Sequence, residues 1–487
     1  MRFVLGVDFG GGASKATLLS ERGEVVATAT SEYKTYAVGE NGREQNPEDW
    51  YEATKKNIRS VIKNADIKGG DIAALCFDAA THTAVLTDEN GKPAGNSVYW
   101  TDTRSVKQKK FLEENYGEEI FRKFKHNTDT IWTLPQLMWI KENRPEQWKR
   151  VKRITFAKDY VRGKFTGDFV TDYIEAEGSM LFDYDERKWD EKFLGLLGID
   201  ESYLPKTVKP LDVVGGVKKE IAEEFGFSRD IKVICGTTDT AAEVFAAGGI
   251  KKGQTTLKLA TAGRICVVTD KLVPDKNVIN YSHIKEGLYY PGTATKSCAA
   301  SLRWFRDTFG GDYAEFGEEA KKIPVGCDGL IFHPYLSGEL TPYANPMLKG
   351  SFIGISSLHT KAHFVRAVME GVALSMKDCK EYLNNLGVNP ESAFIIGGGA
   401  KSDVWTEIVS DCLQLRLIKT KHNDSSFGSA MLAGISAGFF ENEENALKKC
   451  SVITGEVFPN AARGEKYEKV FVRYKKIQKA LEEIYNS

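Results

Sequence analysis

An α/β protein of two domains that face a cleft is predicted by three features of the sequence. The chain opens on an apolar run that passes through a glycine-rich turn into a second apolar run, Phe3–Leu19. The same pattern returns at residues 255–269, and alternating strand and helix patterns follow each occurrence. Such alternation indicates sheets covered by helices. We expect domains at residues 1–250 and 251–487, because glycines cluster at Gly248–Gly253 after a predicted helix.

The composition is that of a soluble globular protein, with 487 residues of which 42% are apolar and 27% charged. The net charge of −1 gives no reason to expect nucleic acid or an anionic membrane surface as a partner. No apolar run approaches the roughly 20 residues of a membrane helix, and Asp8 comes too early for a signal peptide. Eight scattered cysteines without a Cys-x-x-Cys motif predict core thiols in a reducing cytoplasm.

The first half begins with strands and one helix. Acidic residues in the first turn favour a helix from Pro47 to about Asn64. Strands are predicted at Phe3–Leu19 (a hairpin), Glu24–Ser31, Ile72–Phe77, Thr83–Leu86 and Ser97–Trp100. Residues 105–205 are predicted to be mostly helical. A buried strand at Ile231–Cys235 precedes a helix of small residues, Thr240–Ala247.

The second half repeats the opening hairpin at Thr255–Ala260 and Arg264–Thr269, around the turn Thr261–Gly263. Further along, the apolar run Ala393–Ile396 predicts a buried strand that ends in a glycine turn. Asp403 then lies near the start of a helix.

The two hairpins are candidate phosphate sites. Glycines Gly10–Gly12 let backbone N–H groups converge on an anion, and Asp8 beside them could hold Mg²⁺. The alternative is an ordinary glycine hairpin in which Asp8 caps its own backbone. The hydroxyls of Ser14 and Thr261 and the ammonium of Lys15 are candidate phosphate contacts, although a solvated strand position is favoured for Lys15.

Asp239 is the candidate general base. Phosphoryl transfer needs phosphates held in line, a metal that spreads charge, and a base for the attacking hydroxyl. Asp239 follows a strand and stands at a helix N-terminus among Thr237, Thr238 and Thr240. The alternative role is an N-cap of that helix. The Gly397–Gly399 turn would let a nucleotide base or ribose approach closely, although such turns are common.

Two short segments suit a sugar. His82, within Thr81–Thr83, offers ring nitrogens to a polar substrate, with a surface histidine as the alternative. Trp100, Asp102 and Arg104 combine an apolar face with charges for hydroxyl groups. A plain surface ion pair between Asp102 and Arg104 is the alternative there.

Taken in order, these segments resemble the FGGY carbohydrate kinases, within the actin, hexokinase and Hsp70 (ribonuclease H-like) superfamily, over nearly the whole chain. Gly350–Ile355, followed by His363–Leu374, is similar to the family's C-terminal signature. The other matching segments are Phe332–Pro342 (the Y-L-x-G-E-R-T-P segment), Trp132–Trp139 (the N-terminal signature), Leu257–Gly263 (the second phosphate hairpin) and Gly397–Ala400 (the adenosine turn).

The resemblance implies ATP and Mg²⁺ as cofactors, with Asp239 as general base and Asp8 and Asp239 near the metal. It places around the nucleotide phosphates Gly10, Gly11, Gly12, Ser14, Lys15, Thr261, Ala262 and Gly263. It places near the rest of the nucleotide Ala299, Arg303, Gly398, Gly399, Ala400 and Asp403. It places around the sugar Thr81, His82, Trp100, Asp102 and Asp239.

Three positions depart from the family pattern. Gly11 stands where threonine is usual in the first hairpin, so one hydroxyl contact to phosphate is lost. Gln136 replaces the signature lysine, and Leu340 replaces the arginine of E-R-T-P. None of the three removes a proposed catalytic group.

Within the family, the pair Thr81–His82 argues against glycerol, since glycerol kinases carry Arg-Glu there. Xylulokinases carry Met-His, and gluconate kinases also place a histidine at this point. Ala157–Arg162, followed by Thr166–Asp168, resembles xylulokinases. Our hypothesis is transfer of the γ-phosphate of ATP to a primary hydroxyl of an open-chain ketopentose, D-xylulose at O5, with gluconate, ribulose or a polyol as alternatives.

Other classes share the superfold, including ATP-driven chaperones and filament proteins whose nucleotide works a hinge. A sugar sensor without catalysis is a further alternative, against which Asp8 and Asp239 argue. The expected partners are a small-molecule sugar and ATP, and a homodimer rests on family habit alone.

Overall fold

The structure is a computed structural model and describes residues 1–486. The strands up to residue 247 are β1 (Phe3–Phe9), β2 (Ala13–Ser20), β3 (Val25–Glu32), β4 (Tyr36–Val38), β5 (Gly42–Gln45), β6 (Ile72–Ala79), β7 (Ala84–Thr87), β8 (Ser97–Val98), β9 (Arg153–Phe156), β10 (Val170–Asp172), β11 (Phe182–Asp183), β12 (Lys188–Trp189), β13 (Lys206–Val208), β14 (Val213–Gly215), β15 (Lys232–Ile234) and β16 (Thr237–Thr238). The helices are α1 (Pro47–Asn64), α2 (Val106–Phe124), α3 (Thr133–Asn143), α4 (Pro145–Lys149), α5 (Ala157–Thr166), α6 (Tyr173–Glu177), α7 (Glu191–Leu197), α8 (Lys219–Phe225) and α9 (Asp239–Ala247).

The later strands are β17 (Thr255–Leu259), β18 (Gly263–Val267), β19 (Gly292–Thr295), β20 (Ile331–His333), β21 (Ser351–Ile353), β22 (Ser392–Ile396), β23 (Arg416–Thr420) and β24 (Ile453–Val457). The later helices are α10 (Ala299–Phe309), α11 (Tyr313–Lys321), α12 (Lys361–Asn385), α13 (Asp403–Leu413), α14 (Ser425–Ser436), α15 (Glu443–Cys450) and α16 (Ala461–Asn486).

The chain forms two compact units. The first comprises residues 1–246, 281–288 and 422–451, and the second comprises residues 247–280, 289–421 and 452–487. The sequence-based division at residue 250 lies close to the first of these boundaries. Helices α14 and α15 from the later part of the chain belong to the first unit.

The main sheet of each unit has the same topology. In the first unit the strand order is β3-β2-β1-β6-β15-β14, with β16 also paired to β6. In the second unit the order is β19-β18-β17-β22-β23-β24. Both sheets run antiparallel, antiparallel, parallel, parallel, antiparallel along these orders. The repeated hairpin pattern of the sequence is therefore the start of a repeated sheet.

Helix α1 shows how local sequence builds these layers. Asn46 caps it by accepting from the Glu48 N–H, Pro47 occupies its first position, and Glu48 and Asp49 lie in its first turn. Its apolar face, which includes Trp50 and Ile58, packs into the core of the first unit together with strands β1 and β6. Burial of that face stabilises the helix more than propensity does.

Helix α14 lies directly against the strand that carries Asp8. A Cβ on Gly6 of β1 would fall 2.1 Å from the Ser426 carbonyl oxygen, so only glycine allows this approach. On the same helix, a Cβ on Gly428 would fall 2.2 Å from the Ala242 carbonyl oxygen of α9. These two contacts fix the start of α14 beside the ends of β1 and β6.

All eight cysteines are buried thiols without disulfide partners, as the sequence predicts. Within residues 1–486, no helix combines the length and the apolar character needed to cross a membrane.

Candidate active site

Parallel strands bring acidic side chains to one edge of the first sheet. Asp8 on β1 and Asp78 on β6 lie opposite each other in register, and Thr237 on β16 lies opposite Asp78 on its other side. Asp239 follows β16 directly as the first residue of α9. Because the carboxyl ends of parallel strands meet at one edge, the topology gathers the carboxylates that the sequence analysis singled out.

Asp8 and Asp78 form a hydrogen-bonded carboxyl pair. Burial raises the pKa of Asp8, and the charges of Asp239 and Asp424 raise it further. Burial and the neighbouring Asp8 hold the pKa of Asp78 well above its usual range, while Ser429 donates to one of its oxygens. Two like charges so close cannot both form cheaply, so the neighbouring carboxyls favour the protonated form over a doubly charged pair.

Asp424 stands at the N-cap of α14, where it accepts from the Phe427 N–H at 3.3 Å. The Lys15 ammonium lies 2.8 Å from its Oδ2. Burial alone would raise the pKa of Asp424, but the charge and hydrogen bond of Lys15 lower it. We call Asp8, Asp78, Asp239 and Asp424 the acidic cluster. The structure thus places Lys15 in an ion pair at the edge of this cluster, and its contact with phosphate stays a prediction.

Asp239 has one oxygen engaged and one open. Its Oδ1 accepts from the Thr240 N–H at 2.6 Å, the Thr240 hydroxyl at 3.2 Å and the Thr81 hydroxyl at 3.5 Å. Within residues 1–486, no donor approaches its Oδ2. The N-terminal cap of α9 is supplied by Thr238, whose hydroxyl accepts from the Ala241 N–H at 3.2 Å. The alternative of Asp239 as an N-cap is therefore disfavoured, since Thr238 does that work.

The Gly10–Gly12 turn is held by its carbonyl oxygens. Tyr33 donates its hydroxyl to the Gly10 oxygen at 2.6 Å, and Thr35 donates to the Gly11 oxygen at 2.6 Å. Across the part of the chain described, residues 1–486, the N–H groups of Gly11 and Gly12 have no acceptor. Fixed carbonyls with outward N–H groups are what an anion-binding turn requires.

Ser14 differs from the other turn residues. It is fully buried, and Asn57 Nδ2 donates to both its carbonyl oxygen, at 3.0 Å, and its hydroxyl oxygen, at 3.2 Å. Its structural role is thus to tie β2 to helix α1. A phosphate contact for Ser14 stays a prediction.

His82 is buried, with both ring nitrogens occupied. Its Nδ1 donates to the Gly178 carbonyl at 2.9 Å, so Nε2 is the acceptor for the Tyr281 hydroxyl, also at 2.9 Å. Its backbone has φ +71°, and its N–H donates to Glu175 at 3.0 Å. The two hydrogen bonds hold the ring in one orientation, and its contact with a sugar stays a prediction.

Three rings surround His82. Trp132 meets it edge-on at 4.5 Å, His126 stacks on Trp132 at 4.3 Å, and Tyr281 lies 6.1 Å from His82. The sequence analysis named Trp132 only as part of a signature and did not single out His126 or Tyr281. No short-range pattern could have found Tyr281, which lies 199 positions from His82.

Asp102 and Arg104 form the ion pair that was kept as the alternative, but the pair is buried rather than on the surface. Asp102 Oδ2 accepts from Arg104 Nε at 2.9 Å and from the Arg43 N–H at 2.7 Å, and its Oδ1 accepts from the Arg104 N–H at 2.9 Å. Arg104 also reaches Glu44 at 2.7 Å and stacks over Trp139 at 4.1 Å. Both Asp102 oxygens are thus engaged, and its contact with a sugar stays a prediction.

Trp100 lies next to this ion pair in the chain and is 37% exposed. An indole that is partly open to solvent offers a flat apolar face to a ligand. Its contact with a sugar stays a prediction that this exposure favours.

A buried network of charges supports the site from behind. Lys158 lies 2.9 Å from Asp172, and Asp172 accepts from the Thr237 hydroxyl at 3.2 Å. Arg162 pairs with Asp168 at 2.7 Å and donates to the Cys235 carbonyl at 2.6 Å. The network holds the strand end that precedes Asp239, and the neighbouring Glu175 holds the His82 backbone. The segments singled out in the sequence, Ala157–Arg162 and Thr166–Asp168, supply Lys158, Arg162 and Asp168.

In the second unit, the turn of the second hairpin caps a helix. The Thr261 carbonyl accepts from the Cys298 N–H at 3.0 Å, and the Ala260 carbonyl accepts from the Ala299 N–H at 2.7 Å. Ala299 therefore begins α10 against this turn, and Arg303 one turn later is exposed. A Cβ on Gly263 would meet Met376 and Thr295 at 2.7 Å, which explains the glycine there by packing.

The Gly397–Gly399 turn packs against the same hairpin. A Cβ on Gly397, where φ is +90°, would fall 2.6 Å from the Leu259 carbonyl oxygen, and a Cβ on Gly399 would fall 2.8 Å from the Leu259 Cβ. Gly398 has open space instead, and Ala400 lies at the end of the turn. Asp403 is exposed and pairs with Lys419 at 2.7 Å. The second unit thus brings together the predicted phosphate hairpin, with its central Ala262, and the predicted adenosine turn.

The residues present fit a divalent cation bound mainly through phosphate. Among residues 1–486, no group of three or more His, Cys, Asp or Glu side chains could hold a metal. Mg²⁺ is commonly held by one or two carboxylates together with phosphate oxygens and water. Asp8 and Asp239 supply carboxylate oxygens of that kind.

Three cluster residues were missed by sequence reasoning. Asp78 carried a signal, because it ends a predicted strand parallel to that of Asp8. Asp424 carried a weaker one, as an aspartate before a run of small residues. Ser429 carried none, because nothing local shows that α14 returns to the first sheet.

Comparison with known proteins agrees with this arrangement. Residues 3–246 match the FGGY family of carbohydrate kinases, N-terminal domain, and residues 260–437 match the C-terminal domain of that family. The chain is 30% identical to a xylulose kinase of Bacillus subtilis over 482 residues, 98% of this chain and 97% of the relative. It is 29% identical to a gluconokinase of the same organism over 450 residues, 89% of this chain and 87% of the relative.

A solved xylulose kinase from Lactobacillus acidophilus superposes with a TM-score of 0.93 at 24% identity, covering 100% of this chain and 99% of that one. That likeness establishes the two-domain α/β fold that the sequence analysis expected. The family match covers both units and includes the segments that carry the acidic cluster, both hairpins and the adenosine turn. The chain therefore belongs to the FGGY family of carbohydrate kinases.

Proposed function

We propose that this FGGY kinase transfers the γ-phosphate of ATP to the O5 hydroxyl of D-xylulose, with Asp239 as the general base. The observation that carries the assignment of Asp239 is its open Oδ2 beside an Oδ1 that Thr240 and Thr81 fix. A base must be oriented yet keep one oxygen for the proton. The cap of α9 is supplied by the Thr238 hydroxyl, so Asp239 is not needed for it.

The residues of the first unit have separate tasks in this scheme. Asp239 Oδ2 accepts the proton of the attacking hydroxyl. The N–H groups of Gly11 and Gly12 hold the phosphate oxygens, on which negative charge accumulates. Asp8 and Asp239 would hold Mg²⁺. When bound, that ion would neutralise charge on the phosphates.

The second unit binds the rest of the nucleotide in this proposal. The turn at Thr261 and the start of α10 at Ala299 would face the phosphates. Gly399, Ala400 and Asp403 would lie along the adenosine. Eight thiols that form no disulfide fit an enzyme of the reducing cytoplasm.

The acceptor is assigned from the chemistry around His82. The His82 imidazole, the indoles of Trp132 and Trp100 and the Thr81 hydroxyl suit a chain of hydroxyl groups. The basic side chains of neighbouring elements, Arg104, Lys158 and Arg162, are each paired with carboxylates. A gluconate carboxylate would need such a cation. The family relationship to a xylulose kinase supports the ketopentose, and that to a gluconokinase keeps gluconate as the second candidate.

Turnover on a panel tests the acceptor. ADP release with Mg-ATP is followed with D-xylulose, L-xylulose, D-ribulose, L-ribulose, gluconate, glycerol and pentitols. The highest kcat/KM is expected on D-xylulose. A highest value on gluconate would move the acceptor, and no turnover on any compound would contradict the assignment of a sugar kinase.

The change Asp239→Asn tests the base. It keeps the size and the hydrogen bonds to Oδ1 but cannot take a proton, so kcat should fall on the order of 10²–10⁴-fold. Calorimetry should show ATP binding retained. Asp312→Asn, at the N-cap of α11, is the matched control because asparagine caps equally well. Near wild-type turnover in Asp239→Asn would contradict the assignment.

A further inference from the structure

The space beside Gly11 is filled by a tyrosine from another strand. A Cβ on Gly11 would lie 3.1 Å from the hydroxyl oxygen of Tyr99, 3.7 Å from its Cζ and 3.8 Å from its Cε1. A Cβ on Gly12 would meet nothing within 4 Å, so the filling is specific to position 11. Position 11 is also the one at which this chain lacks the usual threonine hydroxyl.

Tyr99 is held firmly where it is. Its N–H donates to the Arg43 carbonyl at 2.9 Å, and its carbonyl accepts from the Asp102 N–H at 2.8 Å. The side chain is only 6% exposed. A phenol anchored on both sides of its backbone can present its hydroxyl with little loss of conformational freedom.

The hydroxyl faces the acidic cluster as a neutral donor. Burial raises the pKa of Tyr99, and the nearby carboxylates of Asp239 and Asp8 raise it further. The phenol therefore keeps its proton at neutral pH. No acceptor in residues 1–486 takes the hydrogen of this hydroxyl, just as none takes the N–H groups of Gly11 and Gly12.

Three donors without protein acceptors thus lie together at one turn. We propose that the Tyr99 hydroxyl donates to a nucleotide phosphate oxygen bound at the Gly10–Gly12 turn, in place of the side-chain hydroxyl that Gly11 lacks. The assignment rests on the proposed function, because it requires that this turn bind the phosphates of ATP. Gly11 and Tyr99 then act together, because the missing side chain at position 11 leaves space for the phenol.

Single and double variants at positions 11 and 99 test whether Tyr99 replaces the hydroxyl that Gly11 lacks. Tyr99→Phe keeps the ring and removes the hydroxyl, so binding of ATP and ADP should weaken about tenfold, the range of one hydrogen bond to a charged group. Binding of AMP should not change, because it lacks the phosphates held at the turn. Calorimetry without sugar measures all three affinities.

Gly11→Thr alone should also weaken ATP, because its Cβ would press on the phenol oxygen at 3.1 Å. In Gly11→Thr/Tyr99→Phe the nearest ring carbon is 3.7 Å away, so the threonine fits and restores a hydroxyl. The double variant should bind ATP within about threefold of wild type, more tightly than either single variant.

The control is Tyr335→Phe, which removes a buried hydroxyl bonded to Tyr474 at 2.9 Å in the second unit. It should lower the melting temperature without changing ATP affinity. Wild-type ATP affinity in Tyr99→Phe would overturn the inference, as would a double variant weakened by the product of the single effects. Wild-type protein that binds ATP in this Tyr99-dependent way but phosphorylates no sugar would overturn the proposed function instead.

Discussion

A methyl group at residue 178 should displace His82 and press more weakly on Thr81, whose Cγ2 would lie 3.2 Å from the new Cβ. Gly178 ends helix α6 with φ −73° and ψ −4°, where alanine fits without backbone strain. A Cβ there would fall 2.4 Å from His82 Nδ1, and ordinary contact begins at 3.4 Å. The ring must therefore move by about 1 Å in Gly178→Ala. Its 2.9 Å hydrogen bonds to Gly178 and Tyr281 would then lengthen beyond hydrogen-bonding range.

The cost follows from those two bonds. Each is worth about 1 kcal/mol, so restoring the ring geometry on substrate binding should cost about 2 kcal/mol, or about thirtyfold in KM for the sugar. KM for ATP should stay unchanged, because the Gly10–Gly12 turn does not touch His82. Steady-state kinetics with each substrate varied in turn measures the two constants.

Gly195→Ala is the matched control for Gly178→Ala, since Gly195 lies in helix α7 with nothing within 4 Å of an added Cβ. It should leave both KM values at wild type. A folded Gly178→Ala enzyme with an unchanged KM for the sugar would refute the placement of His82 at the acceptor site.

The remaining predictions concern stability. Burial raises the pKa of Glu339 to about 7, from 4.5 in the unfolded chain, so its contribution to stability is present below pH 4.5 and is lost as pH rises through 7. Over that window the free energy of unfolding should fall by about 3 kcal/mol, and Glu339→Gln should flatten the accompanying fall of the melting temperature. An equally steep fall in Glu339→Gln would contradict this reasoning. Gly6→Ala should lower the free energy of unfolding by about 3 kcal/mol, because α14 cannot move away from β1 without losing its core contacts. Gly455→Ala, in open space on β24, should have the melting temperature of the wild type, and equal melting temperatures for the two variants would exclude the close approach at Gly6. Arg162→Lys keeps the charge but loses the two parallel hydrogen bonds to Asp168. The midpoint of denaturant unfolding should therefore fall by an amount equivalent to about 3 kcal/mol. An unchanged midpoint would show that the buried charge network around Arg162 is not needed for stability.

Much of the fold was predictable because its elements carry local signals. Helix α1 was predicted from Pro47 to about Asn64, in agreement with the structure, since Pro47 and an acidic first turn mark its start. Both hairpins were predicted for a similar reason, as glycine turns between apolar runs. The membership of α14 in the first unit was not predicted. Its small residues pack on Gly6, and no local sequence pattern indicates a contact between segments so far apart in the chain.

The residues of the candidate site also differ in whether a local sequence signal or a long-range contact identifies them. Asp8 and Asp239 were singled out as candidates because each lies at the end of a predicted strand, which is a local property. The Asp8–Asp78 pair needed the register of β1 and β6, and the ion pair of Lys15 needed Asp424 from 409 positions away. His82 was also singled out, but its hydrogen bonds to Gly178 and Tyr281 follow only from three-dimensional contacts.

The return of helix α14 to the first sheet has a consequence for biosynthesis. The ribosome completes the strands of that sheet some 190 residues before the helix that covers β1 and β6 emerges. Until then, a strip of backbone and apolar side chains shaped to receive Ser426 and Ala430 faces water or a chaperone. The acidic cluster cannot be complete in a nascent chain that stops at residue 250.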